Sequence, residues 1–212
     1  MRPVLYSFRR CPYAMRARLA IRYSKIPVEI REVDLNDIPE ALSSISSDET
    51  VPVILLPDAQ VIDESWDIVK WAVKQNDPEC WLGENNCFEN DAEMLVETND
   101  FSFKLDLDHY KYADRYPEQP MEHYRSEGEA FLVELEDRLA VTRYLAADAM
   151  SIADIAVLPF IRQFAFVDKQ WFDVAPYPKV QAWLNAFLES DLFESVMQKY
   201  PIWNAGDEPV LF

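Results

Sequence analysis

Leu5-Tyr6-Ser7-Phe8-Arg9-Arg10-Cys11-Pro12-Tyr13-Ala14-Met15-Arg16-Ala17-Arg18-Leu19 is the stretch from which the fold is read: a short apolar run ends at a cysteine, a proline follows, and a helical pattern starts at once. Proline suits the first helical position because it has no N–H to leave unsatisfied. The spacing therefore places the Cys11 thiol at a helix N-terminus, where unpaired backbone N–H groups and the helix dipole favour an anion. Four arginines lie within seven residues of the sulfur. Such surroundings lower a thiol pKa below its free value of about 8.5, and Cys11 is the candidate nucleophile. The alternative is a buried cysteine serving as a small hydrophobe. Position 14 of the motif is alanine, so no second thiol is placed to close an internal disulfide. A lone thiolate exchanges with an external thiol through a mixed disulfide.

Outward from this stretch, the first 75 residues alternate apolar runs with helical patterns. Strands are expected over 3–8, 28–34, 53–56 and 60–62, with Pro57-Asp58-Ala59 as a hairpin turn between the last two. Helices are expected over 12–23 and 64–74, with a short one over 39–45. The order βαβαββα describes an α/β domain over 1–75 with a mixed sheet. Turn formers from Asn76 to Asn86 mark a linker over 76–87. Beyond it the pattern is helical: amphipathic segments over 88–112, 120–139, 151–166, 177–189 and 192–199 predict an all-α bundle over 88–212. Pro159 lies inside the third of these segments, 151–166, and is expected to kink that helix or shift its boundary.

Composition narrows the function classes. Of 212 residues, 50% are hydrophobic and 13% aromatic, enough for a sizeable core, and the net charge is −18. A polyanion repels phosphate backbones and anionic headgroups, so neither nucleic acid nor a membrane is expected as a partner. No run approaches the roughly 18 apolar residues of a membrane-spanning helix. Met1-Arg2-Pro3-Val4 reads as the approach to a first strand rather than as a signal peptide. Three cysteines make no disulfide framework and fit a reducing cytoplasm. His109 and His123 are not spaced to complete a zinc site with Cys80 and Cys87, and no metal is expected.

A second constellation follows. Val51-Pro52-Val53 opens the third strand. A trans proline is the commoner case there, while a cis bond would turn the Val51 backbone outward to pair with an extended ligand. Glu64-Ser65 stands at the start of the next helix. One reading is capping, in which Asp63 or Ser65 satisfies helix-start donors. The other is binding the charged amino-acid end of a ligand, its carboxylate on Ser65 and its ammonium on Glu64.

Together, residues 6–19, Val51-Pro52-Val53 and Glu64-Ser65 resemble the glutathione S-transferase superfamily, and in particular its omega class, whose mark is a Cys-Pro-Phe/Tyr-Ala site. Ser151-Ile152-Ala153-Asp154 resembles the capping box of that family's buried helix. The resemblance implies a thioredoxin-like domain carrying glutathione and a helical domain. Cys11 then faces the glutathione sulfur, Tyr13 lines the site, Val51 pairs its backbone with the cysteinyl part, and Glu64 and Ser65 hold the γ-glutamyl end. It also implies a cytoplasmic homodimer and an acceptor site on the helical domain, for which His109 and Tyr112 are candidates. The implied activity is a glutathione-dependent thiol transferase or reductase acting on a small-molecule or protein thiol. The alternative is a non-catalytic binding or regulatory module on the same fold. One departure favours that alternative: where omega enzymes carry a lysine for the glycine end of glutathione, this chain has Ile38. Loss of such a contact costs about 1.5–3 kcal/mol, roughly ten- to a hundredfold in affinity.

Overall fold

Val4, Leu5, Tyr6 and Ser7 are all buried, which requires a strand covered on both faces. In the computed structural model, which describes residues 2–212, they form β1 (Val4–Ser7) at the centre of a five-stranded sheet of order β4-β3-β1-β2-β5. Helix α1 (Pro12–Tyr23) leads to β2 (Glu29–Glu32), which runs parallel to β1 with Leu5 opposite Ile30. The short α2 (Glu40–Ser43) precedes β3 (Val53–Leu55), antiparallel to β1, and β4 (Val61–Ile62), antiparallel to β3. Helix α3 (Ser65–Gln75) then packs on α1. In β2 the side chains alternate, with Ile30 and Glu32 buried. Val4, Tyr6, Val33, Leu42, Val51 and Val53 pack with Ala14 into one apolar cluster.

The chain divides into two units: residues up to Glu79 together with Asp191–Phe212, and Cys80–Ser190. This corrects the expected bundle over 88–212. Its last part leaves the helices and returns to the sheet, and residues 80–87 are not plain linker, since Trp81 and Leu82 are buried.

The second unit is helical. Helix α4 (Glu89–Thr98) runs through a π-turn at Asn99–Phe103 into α5 (Lys104–Lys111), and α6 (Met121–Val141) packs on α5. Helix α7 (Ile152–Ala165) is buried along almost its whole length, which its apolar composition on every face demands. It runs through Pro159 without a boundary there. The proline forgoes one backbone bond, and close packing on all sides holds the helix in place of it. The short α8 (Lys169–Phe172) and α9 (Pro178–Leu188), packed on α6, complete the unit. The first unit resumes with α10 (Asp191–Val196) against α1 and with β5 (Val210–Leu211), antiparallel to β2 with Val210 opposite Ile30.

Polar groups buried in the helical unit converge on Asp154, which is wholly inaccessible. Its Oδ2 accepts from the Ser151 N–H and hydroxyl, both at 2.9 Å, and its Oδ1 from the Leu145 N–H at 3.0 Å and Trp183 Nε1 at 2.8 Å. Burial pushes this carboxyl above the usual range, and the same donors pull it back. Elsewhere in the unit, Gly128 of α6 faces the Phe164 ring, which also stacks on Phe103 at 5.3 Å and Tyr110 at 4.9 Å.

Two variants test this packing. A Cβ added at Gly128 would lie 2.7 Å from Phe164 Cε2, and that ring is locked by its neighbours. Gly128→Ala is therefore expected to destabilise by about 1–3 kcal/mol despite alanine's better helix propensity, read as a lower urea midpoint with an unchanged slope. Asp154→Ala strands four donors in the interior and is expected to cost about 3–5 kcal/mol in the same assay. A midpoint within error of the parent would remove Asp154 from its structural role.

Candidate active site

Strand β1 ends at Ser7, and the turn that follows is closed by the Cys11 N–H donating to the Phe8 carbonyl at 3.1 Å. The Cys11 carbonyl then accepts from the Met15 N–H at 2.9 Å, the first bond of α1. Cys11 is the N-cap residue, with extended backbone (φ −69°, ψ 124°), and Pro12 stands at the helix start. Its side chain makes no capping bond to the helix. Instead the half-buried thiol points to the Val51 carbonyl, 3.5 Å away. The Val51–Pro52 peptide bond is cis, the less common of the two forms weighed from the sequence. Val51 and Cys11 belong to the same apolar cluster as Tyr6 and Val53.

The two other parts of the sequence-derived site meet through Arg16. This residue of α1 is buried, and its Nη1 donates to Ser65 Oγ at 3.3 Å. Its guanidinium lies 5.6 Å from the Tyr13 ring centroid and 6.0 Å from that of Trp66. Arg16 thus ties the residue two places after the thiol to the start of α3. Glu64 is the N-cap residue of α3, and its side chain makes no cap hydrogen bond to the helix start. The buried Ser65 hydroxyl accepts from Arg16 and keeps its own proton to donate. Cys11, Tyr13, Val51 and Ser65 are brought into one region of the first unit, with Glu64 exposed at its edge.

Beneath this region lie residues that the sequence did not single out. Arg18 and Glu32 are both buried. Arg18 donates to Ser7 Oγ at 2.5 Å, to the Phe8 carbonyl at 3.3 Å, to the Arg9 carbonyl at 2.7 Å and, through Nε, to the Val196 carbonyl at 3.1 Å. The Arg9 N–H donates to Glu32 Oε1 at 2.7 Å. Burial brings the Arg18 guanidinium down to about 10, while Glu32, the Cys11 thiolate and Tyr200 act to raise it and Arg9 to lower it. At neutral pH it remains protonated. Burial likewise pushes the Glu32 carboxyl up, against the pull of the Arg9 N–H and of the Arg18 and Arg9 charges. A sequence signal existed in the arginines of 16-Arg-Ala-Arg-18, which sit in a helix whose remaining faces are apolar, and in the inward register of Glu32.

The returning C-terminal segment also reaches this region. The Trp203 N–H donates to the Glu32 carbonyl at 2.8 Å, and the Trp203 ring meets Tyr6 edge-on at 6.1 Å and lies under Arg31 at 4.2 Å. Ile38 packs, partly buried, on the cluster that includes Tyr6 and Leu42.

His109 and Tyr112 belong to the helical unit. His109 stacks on Tyr116 at 4.2 Å and Tyr124 at 5.1 Å. Tyr112 ends α5 with Lys111 and Arg115 over its ring, at 4.7 and 4.5 Å. Both are accounted for by contacts within their own unit. Among the described residues no group of three or more His, Cys, Asp and Glu side chains is arranged to hold a metal ion, and none of the three cysteines is in a disulfide.

Comparison with known proteins bears on the fold and the family. Residues 5–80 match the profile of the glutathione S-transferase N-terminal domain and residues 118–186 that of the C-terminal domain. Over 101 residues the chain is 31% identical to glutaredoxin 2 of Escherichia coli (strain K12), a stretch that is 48% of this chain and 46% of that protein. The match thus spans about half the length of that relative. Among solved structures, a glutathione transferase from Pseudomonas putida, with one glutathione disulfide bound per subunit, superposes with a TM-score of 0.80 at 19% identity, covering 93% of this chain and 91% of that one. A glutathione transferase family member from Pseudomonas fluorescens pf-5, with two glutathione molecules bound, gives 0.77 at 19% identity over 92% of each chain. A glutathione S-transferase from Rhodospirillum rubrum F11 gives 0.76 at 18% identity, over 98% and 96%. With a thioredoxin-like unit and a helical unit in the order of both matched domains, this chain belongs to the glutathione S-transferase superfamily.

Proposed function

We propose that the protein is a cysteine-type, omega-like glutathione transferase that works as a thiol transferase or reductase through a mixed disulfide on Cys11. The observation that carries this reading is the position of the thiol, at the start of α1 and 3.5 Å from the Val51 carbonyl, with Tyr13 and Ser65 linked beside it through Arg16. Helix-start amides and nearby guanidinium charge favour the thiolate. Val51 offers backbone to an extended peptide, and Ser65 and Glu64 offer a hydroxyl and a carboxylate to its amino-acid end. The glutathione disulfide and glutathione bound to the Pseudomonas relatives support glutathione as the ligand.

In the proposed cycle the Cys11 thiolate attacks the glutathione sulfur of a glutathionylated substrate. The old S–S bond breaks, the substrate leaves as a thiolate and takes a proton from water, and glutathione stays on Cys11. A second glutathione, as thiolate, attacks that glutathione sulfur, and the Cys11 thiolate departs with glutathione disulfide as product. One substrate mixed disulfide is reduced and one free glutathione is oxidised, the other half of the glutathione disulfide coming from the substrate. Ala14 supplies no resolving thiol, so the second glutathione is required. The acceptor is a small-molecule or protein thiol, and the resemblance carries with it a cytoplasmic homodimer. Among the described residues no helix is long and apolar enough to cross a membrane.

One observation favours a second reading, a binding or regulatory module without turnover: Ile38 sits on the apolar cluster where the resemblance places a lysine. Mixing the protein with glutathione disulfide separates the two. The catalytic reading expects one glutathionyl group, mapped to Cys11 by peptide mass, together with ping-pong kinetics and no reductase turnover in Cys11→Ala. An unmodified Cys11 and no retention on immobilised glutathione would leave the module. Ser65→Ala is expected to weaken glutathione binding about ten- to a hundredfold, measured by calorimetry, while costing the fold only about 1 kcal/mol for the lost Arg16 contact.

A further inference from the structure

We propose that Arg18 is a positioning residue for Cys11: its guanidinium fastens the loop that presents the thiol to the C-terminal segment and keeps a positive charge within reach of the sulfur, opposed by Glu32. The inference rests on reading Cys11 as the exchanging thiol.

The hydrogen bonds carry the argument. Three of the four acceptors of Arg18 belong to consecutive residues, Ser7, Phe8 and Arg9, and the fourth is the Val196 carbonyl at the end of α10. The Phe8 carbonyl is shared. It accepts from Arg18 Nη1 at 3.3 Å and from the Cys11 N–H at 3.1 Å, so a single oxygen couples the guanidinium to the backbone of the nucleophile. The Arg9 peptide is held on both sides, its carbonyl by Arg18 at 2.7 Å and its N–H by Glu32 Oε1 at 2.7 Å. The loop thus has little freedom to shift without breaking bonds to a buried charge. Addressing four acceptors from three nitrogens needs the planar fork of arginine, which lysine lacks.

The charged and titratable groups facing Arg18 come from separate elements: Glu32 from β2, Cys11 and Arg9 from the loop, and Tyr200 from the C-terminal segment. The interaction between Arg18 and the Cys11 thiolate is mutual, so what favours protonated Arg18 also favours ionised Cys11. Glu32 works in the opposite direction on the sulfur. A residue that merely filled space would leave the thiol's titration where it was.

The test uses the full chain carrying Cys80→Ser and Cys87→Ser, with Cys11 alkylation by iodoacetamide followed against pH. In Arg18→Met the midpoint of the rate profile is expected to rise by about one pH unit or more, with alkylation near neutrality about tenfold slower. Arg18→Lys returns the charge without the fork and is expected to recover at least half of that displacement. A folded Arg18→Met protein, by near-ultraviolet circular dichroism, with the parent midpoint overturns the proposal. Where Arg18→Met does not fold, Glu32→Gln decides, since it keeps an acceptor for the Arg9 N–H and removes only charge. A midpoint below the parent's supports the proposal, and one at or above it overturns it. Failure of the functional reading is distinct. A midpoint that follows Arg18 without any glutathione adduct sinks the exchange chemistry and leaves this inference standing, and an adduct with a midpoint indifferent to Arg18 does the reverse.

Discussion

A guanidinium shut away from water keeps its charge only if its N–H groups find oxygens. In the first unit that requirement gathers four acceptors from the β1 end, the turn after it and the end of α10 around Arg18. Most of what defines the site follows from this gathering. The turn brings Cys11 to the start of α1, and the cluster that holds Val51 and Val53 sets the carbonyl opposite the sulfur. Arg16, two residues earlier on the same helix, performs the comparable service for Ser65 and the start of α3.

The helical unit is organised by a buried carboxyl, that of Asp154. Asp154 receives four donors where Arg18 meets four acceptors, and both draw in backbone from loops that apolar packing alone would leave unspecified. Burial of a charge contributes little to stability by itself, since its desolvation offsets the attraction. What it contributes is selection among arrangements, because any competing arrangement leaves donors or acceptors unmatched in the interior. Apolar volume makes each unit collapse, and one buried polar group with all its hydrogen-bond partners in each helps decide which loops lie where.

Much of the first unit was legible because its signals are local. Pro12 after an apolar run marks the start of α1, and the helix occupies the residues the pattern gave. In β2, alternation puts Glu32 on the side of Ile30. Cys11 stood out by its place before Pro12, while Tyr13, Val51, Glu64 and Ser65 entered through the family resemblance. The rest depended on contacts distant in sequence. The sequence counts Arg16 and Arg18 only as charge near the sulfur, because their burial is set by partners on other elements. Strand β5 is only Val210–Leu211, too short for any alternation, and it forms because β2 offers an open edge. Pro159 reads as a breaker until the burial of all of α7's surroundings is known.

The return of Asp191–Phe212 to the first unit bears on how the protein is made. On the ribosome, β1 to β4 emerge before the about 110 residues of Cys80–Ser190, which occupy roughly 5–20 s of elongation. Through that interval the edge of β2 is uncovered and Arg18 lacks its Val196 oxygen, while the helical unit, continuous in the chain, can close on its own. The nascent thioredoxin-like half is therefore left waiting with a sticky strand edge and an unsatisfied cation, and translation pauses within α6 or α7 prolong the period in which it is exposed to chaperones and to mispairing.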